Sequence, residues 1–253
     1  MIRSIFALLT VFVMTAILAP TLLVASLLRV REKPGSIYER CMRLWARSAS
    51  RAAGVRVVVH GVENMRNGAI YMQNHVSWFD IFAVASVLPR YTFVAKSELR
   101  RIPVFGRGAE AAGIVFIDRD NRKSAFESYK VAAAEVQRGR NVVVCPEGTR
   151  GRDYHLRPFK KGPFVLAIAA GAPIVPVVVY GALEVMPKGS LRVRPNVVHV
   201  HFLAPVPTAG RTYEDRTELM RAVWQRMADT MRELYDVRTN EYPIAREQER
   251  KEA

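Results

Sequence analysis

In the segment Gln73-Asn74-His75-Val76-Ser77-Trp78-Phe79-Asp80, an imidazole and a carboxylate stand five residues apart. Such a pair can do proton chemistry if the carboxylate holds one ring nitrogen and leaves the other free to take a proton. Residues five apart in a regular helix are separated by about 140° around the axis, so His75 and Asp80 cannot meet if both are helical. His75 must therefore lie in the turn before a helix, with Ser77 as the N-cap and Asp80 as the third helical residue. The same residues have a plainer account. Ser-x-x-Asp is close to a capping box, which stabilises a helix start by ~1 kcal/mol and needs no chemistry.

Two further segments end apolar runs abruptly in charge: Gly113-Ile114-Val115-Phe116-Ile117-Asp118-Arg119 and Val144-Cys145-Pro146-Glu147-Gly148-Thr149-Arg150. In a parallel sheet the carboxyl ends of the strands share one edge, where ligand sites of α/β proteins form. Arg119 and Arg150 would converge there near His75, and two guanidiniums at one rim suit capture of a phosphate. Salt bridges to Asp118, Asp120 or Glu147 would occupy the same arginines equally well. Ser77 reads as a cap rather than a nucleophile, because no neighbouring base stands beside it. His199 and His201 alternate on one strand face, but no third metal ligand follows at usable spacing, so an ordinary strand face is expected. His60 and His155 carry no signal, and Trp78 and Phe79 read as packing or lipid contacts.

The elements that must position these groups alternate along the chain. Short β-branched runs predict strands at residues 55–60, 69–73, 91–95, 113–117, 141–145, 174–180 and 197–203. Helical periodicity fits residues 78–87, 122–138, 162–170 and 213–235, the last with Leu219, Val223, Met227 and Met231 on one face. This order predicts an α/β fold with a mixed, largely parallel sheet flanked by helices, whose inner strands are apolar on both faces.

Ahead of this body, residues 5–28 run without a charge, interrupted only by Pro20. That is membrane length, and longer than the apolar stretch of a secretory signal. Pro20 is compatible with a bent span or with a re-entrant hairpin. If the segment spans, Arg29, Arg31 and Lys33 place its C-terminal side in the cytoplasm. Residues 36–53 then form an amphipathic helix with Arg40, Arg43, Arg47 and Arg51 in one stripe and Tyr38, Cys41, Met42, Trp45, Ala49 and Ala52 opposite. Such a helix suits an anionic bilayer surface, and it suits equally an ordinary helix packed on the domain. The expected organisation is therefore a membrane-anchoring segment and amphipathic helix at 1–54, one catalytic domain at 55–240 and a charged tail at 241–253, of which residues 246–253 read as disordered.

Composition narrows the partners. The chain has 253 residues, half of them hydrophobic, enough for one large core, with 38 basic against 23 acidic side chains and a formal charge of +15. Such an excess suits a phosphate-bearing partner, either nucleic acid or anionic lipid. Neither a recognition-helix signature nor the aromatic platforms of strand binders is present, which argues against nucleic acid. Two cysteines, Cys41 and Cys145, are too few for a disulfide framework and read as structural thiols of a reducing compartment.

Asn74-His75 with Asp80, then Phe116-Ile117-Asp118-Arg119, then Pro146-Glu147-Gly148-Thr149-Arg150, then Ile174-Val175-Pro176-Val177 resemble, in order and spacing, the four motif blocks of the glycerolphosphate and lysophosphatidate acyltransferase family. The likeness covers roughly residues 55–205. The third block usually begins with Phe where this chain has Cys145. The resemblance implies that His75, oriented by Asp80, acts as general base on a free glycerol hydroxyl, which attacks an acyl thioester directly without an acyl-enzyme. It implies a glycerol phosphate site at Glu147, Gly148, Thr149 and Arg150, with Arg119 from the second block and Lys96 at a recurrent basic position. A solvated lysine at a strand end would account for Lys96 as well.

The implied reaction takes acyl-CoA or acyl carrier protein as donor and lysophosphatidate as acceptor, gives phosphatidate, and needs no cofactor or metal. It places the enzyme on the inner, cytoplasmic membrane with its catalytic domain on the cytoplasmic face, against an anionic lipid surface. Glycerol 3-phosphate or another lysolipid as acceptor, and a non-catalytic protein binding anionic lipid, are the competing expectations. Pro176 inside a strand predicts a sheet edge or a bulge near the acyl site.

Overall fold

The computed structural model describes residues 1–118 and 121–239. Arg119 and the charged tail expected at 241–253 lie outside the described residues. Strands β1 (Arg56–His60), β2 (Ile70–Gln73), β3 (Tyr91–Lys96), β4 (Val115–Ile117), β5 (Asn141–Val144), β6 (Ile174–Tyr180) and β7 (Val197–Phe202) form one sheet in the order β1-β7-β6-β2-β5-β3-β4. Every pairing is parallel except β6 with β7, so the sheet is mixed and largely parallel, as the sequence predicts.

The helices are α1 (Ile2–Leu27), α2 (Ile37–Ala53), α3 (Trp78–Val87), α4 (Phe105–Ala111), α5 (Arg122–Gln137), α6 (Gly162–Ala170), α7 (Ala182–Val185) and α8 (Arg216–Tyr235). Tyr71, Val143, Val175, Val177 and Val179 face α2 and α3, whereas Ile70, Met72, Val142, Val144, Ile174 and Val178 face α5, α6 and α8. Successive strand residues thus enter opposite layers, which is why these strands are apolar throughout. In α8 the expected stripe of Leu219, Val223, Met227 and Met231 is buried in the second layer. Its first expected turn, Tyr213–Asp215, is a tighter 3-10 turn closed by a Thr212 to Asp215 capping box.

One expectation changes here: the edge alternative for Pro176 is wrong, since β6 lies between β7 and β2. The bulge alternative fits the register: Ile174 stands opposite Val206, yet Val177 stands opposite Phe202, a slip of one residue. The missing Pro176 donor falls within that slip, where no ladder bond is lost, while its carbonyl accepts from the Leu203 N–H at 2.9 Å. Helix α4 is not among the helices expected from sequence, because Phe105-Gly106-Arg107-Gly108 carries two glycines that weaken helical propensity. Gly108 is required there. A Cβ at Gly108 would strike Ala19 of α1 at 2.3 Å from its Cβ, so glycine permits the two helices to touch.

The long apolar segment forms one continuous helix, α1, with Pro20 inside it, and not a hairpin. It is long and apolar enough to cross a membrane. One side rests on the domain along its length. The Val193 N–H donates to Ser4 Oγ at 2.9 Å near one end, Trp45 Nε1 donates to Thr15 Oγ1 at 2.9 Å midway, and Leu22 and Ala25 pack on Tyr38 and Ala112 near the other. Ile5, Phe6, Leu9, Phe12, Ile17, Val24 and Leu27 remain exposed. In α2, Tyr38, Cys41, Ala49 and Ala52 are buried, so its apolar stripe faces the protein, and Arg40, Arg47 and Arg51 stay exposed.

Candidate active site at the carboxyl edge of the sheet

His75 follows β2 by two residues and occupies the turn into α3, while Asp80 sits in the first turn of that helix, fully buried. His75 Nδ1 lies 3.1 Å from each Asp80 oxygen. Asp80 Oδ2 also accepts the backbone N–H groups of Val76 and Ser77 at 2.8 Å, and Oδ1 accepts Gln73 Nε2 at 3.3 Å. A carboxylate with this many donors is an acceptor only, so Nδ1 carries the ring proton and Nε2 presents its lone pair. Ser77 caps α3, accepting from the Phe79 N–H while its hydroxyl donates to the Met186 carbonyl at 2.8 Å. That hydroxyl is committed to structure. Asp80 therefore closes the capping box and orients His75 with the same carboxylate.

The turn after β5 comes to the same edge. Gly148 adopts φ +75°, where a side chain is strained, and its N–H returns to the Cys145 carbonyl at 3.0 Å. This sharp turn delivers Thr149 and Arg150 beside His75, and the Gly151 N–H donates to the His75 carbonyl at 2.6 Å. Arg150 lies over the Trp78 ring, 5.0 Å from its centroid.

These groups border a cavity of about 570 Å³. His75, Lys96, Glu98, Thr149, Arg150 and Lys188 are among its polar lining; Leu18, Ala19 and Leu22 of α1, Trp45 of α2 and Phe82 of α3 give it apolar walls. Of the residues proposed from sequence, His75, Lys96, Gly148, Thr149 and Arg150 are thus brought together, with Asp80 behind His75. Lys96 is ion-paired to Glu98 and half-exposed. Two cavity residues were not expected. Lys188, whose ammonium donates to the Arg150 carbonyl at 3.0 Å, belongs to no motif and is joined to the edge only by the turn after α7. Trp78, which by sequence suits packing or a lipid contact, also lines the cavity.

Glu147 is placed differently from a ligand contact. Its Oε1 accepts the His75 N–H at 2.8 Å and Oε2 accepts the Arg157 N–H at 3.3 Å, away from the cavity walls. It ties the turn after β5 to the turn after β2. Burial, outweighing those two hydrogen bonds, pushes its carboxyl up to about 7. A carboxyl raised in the folded state contributes stability fully below its ordinary value of 4.5, and that contribution is lost as pH rises toward 7. Glu147→Gln is therefore expected to flatten the fall in melting temperature between pH 5 and pH 8, measured by thermal unfolding in parallel buffers. An unchanged slope would mean another group titrates.

The acyltransferase family model matches residues 56–180. A 1-acyl-sn-glycerol-3-phosphate acyltransferase of Cocos nucifera is 39% identical over 157 residues, 61% of this chain and 51% of that protein. An acyltransferase of Schizosaccharomyces pombe is 32% identical over 201 residues, covering 74% of this chain and 70% of that one. The crystal structure of the 1-acyl-sn-glycerophosphate acyltransferase PlsC from Thermotoga maritima superposes with a TM-score of 0.75 at 26% identity, over 94% of this chain and 99% of that one. The matched stretch spans 51%, 61% and 44% of the first three curated relatives. With the motif order, the sheet and the cavity edge in agreement, the chain belongs to the acyltransferase family.

Proposed function

We propose that this chain transfers an acyl group from acyl-CoA or acyl carrier protein to the sn-2 hydroxyl of 1-acyl-glycerol 3-phosphate, giving phosphatidate. The observation that carries the reading is the His75 and Asp80 pair, with Arg150 and Lys188 beside it, on a largely apolar cavity. His75 Nε2 takes the hydroxyl proton as the oxygen attacks the thioester carbonyl carbon; the carbon–sulfur bond breaks and the imidazolium returns a proton to the thiolate. Asp80 stabilises the imidazolium and fixes the tautomer. No acyl-enzyme is needed, consistent with the commitment of the Ser77 hydroxyl to Met186.

Arg150, Lys188 and Lys96 present the positive charge for the acceptor phosphate, and Arg119 is proposed to join them from the second motif block. The exposed apolar side of α1 enters the bilayer while its other side stays on the domain, a one-leaflet attachment at the cytoplasmic face of the inner membrane. The arginine stripe of α2 supports that placement by its attraction to anionic headgroups.

Membranes carrying the protein, incubated with labelled acyl-CoA and a panel of lysolipids, should yield labelled phosphatidate with lysophosphatidate as acceptor. A labelled product only from another lysolipid would replace the acceptor, and no product would remove the enzymatic reading. In the same assay Arg150→Ala is expected to raise KM for lysophosphatidate ~10–100-fold, the loss of one charge-assisted contact, with donor KM little changed. A change confined to the donor would reassign Arg150.

A further inference from the structure

His199 and His201 lack a third metal ligand within their own strand; the sheet supplies one. Strand β1 runs parallel to β7 with His60 directly opposite His201 and Val58 opposite His199, so all three imidazoles project from one face. That face is the one covered by α8, opposite the layer of α2 and α3. His60 Nε2 lies 3.1 Å from His199 Nδ1, and one ring nitrogen from each of the three falls within 4.8 Å of the others.

The surroundings fix the His201 ring and the backbone of His60. His201 is buried and its Nε2 is 2.5 Å from the Tyr235 hydroxyl, whose ring stacks on Tyr180. The His60 backbone is held against β7 as well. Gly61 turns immediately after it in the left-handed region, with the Phe202 carbonyl where a Cβ would be, and Asn64 Nδ2 donates to that same carbonyl at 2.9 Å. The His60 side chain is exposed, which leaves an entry path and freedom to tilt.

We propose that His60, His199 and His201 form a binding site for a borderline divalent cation of the Zn2+, Ni2+ or Co2+ class. Imidazole suits these ions, and three protein nitrogens leave a fourth position for water. At metal–nitrogen bonds of about 2.0–2.1 Å, tetrahedral ligands stand about 3.4 Å apart. His60 and His199 already meet that spacing. His60 stacks nearly parallel to His201, so ligation requires the exposed His60 ring, and not the buried one, to tilt out of that stack. A bound cation would pin the edge strand β1 to β7, far from the acyl cavity in sheet order.

The test uses the full chain without an affinity tag, stripped with chelator and titrated separately with Zn2+, Ni2+ and Co2+ by calorimetry and elemental analysis. One equivalent is expected, with tetrahedral Co2+ absorption. The melting temperature should rise by about 5–10 °C at a hundredfold excess over Kd. His60→Ala and His199→Ala, both outside the core, should each weaken binding at least ~10-fold while acyl transfer is unchanged. Absence of a stoichiometric equivalent, or binding retained by the double variant His60→Ala/His199→Ala, would overturn the site. Acyl transfer lost in either variant would overturn its independence from the cavity.

Discussion

Purified His75→Ala protein is expected to transfer acyl groups ~10²–10⁴-fold more slowly than the parent chain while remaining folded and membrane-bound. The reason for the fold surviving is local. The turn is held by backbone groups that alanine keeps: the His75 N–H on Glu147 and the His75 carbonyl on the Gly151 N–H. Asp80 keeps the Val76 and Ser77 N–H groups and Gln73 as donors, so it is not stranded. The measurement is turnover at saturating donor and acceptor, beside a melting curve. Near-native turnover would remove His75 as the base.

Asp80→Asn should produce a different pattern, a comparable loss of turnover of ~10³–10⁴-fold together with a clear loss of stability. An amide offers one acceptor where the site has four donors, so its NH₂ must face either the His75 Nδ1 proton or the backbone N–H groups that open α3. A buried donor left unmatched costs ~1–3 kcal/mol, or a drop of several degrees in a chain of this size. If stability fell and turnover did not, Asp80 would be only a helix cap.

The sequence carried the strands well because their bounds are set by chemistry within a few residues. The run Val142-Val143-Val144, between Asn141 and Cys145-Pro146, admits little else, and it forms β5 as Asn141–Val144. The contact of His75 with Asp80 was legible for the same reason, since helix geometry forces His75 into the turn. What depended on sheet order was not legible. Lys188 reaches the cavity through a turn with no motif, and His60 becomes a neighbour of His201 only because β1, the first strand, pairs with β7, the last. The structural task of the Glu147 carboxylate was not legible either: its place inside a motif suggests a ligand contact and does not disclose the two backbone N–H groups it accepts. Pro176 shows the limit of a local rule, because an interior strand admits proline wherever the register slips past it.

Thr15, Leu18, Ala19 and Leu22 of α1 form one wall of the cavity, while its other side is exposed and apolar. With that helix in the bilayer as proposed, a hydrocarbon tail moving around it passes from one oily surrounding to another. Carried through water instead, each methylene would cost ~0.8 kcal/mol, or about 13 kcal/mol for a sixteen-carbon chain. On that reading the same helix also removes the extraction step, and cutting it away to gain solubility would leave His75 and Asp80 facing an open, wet trough.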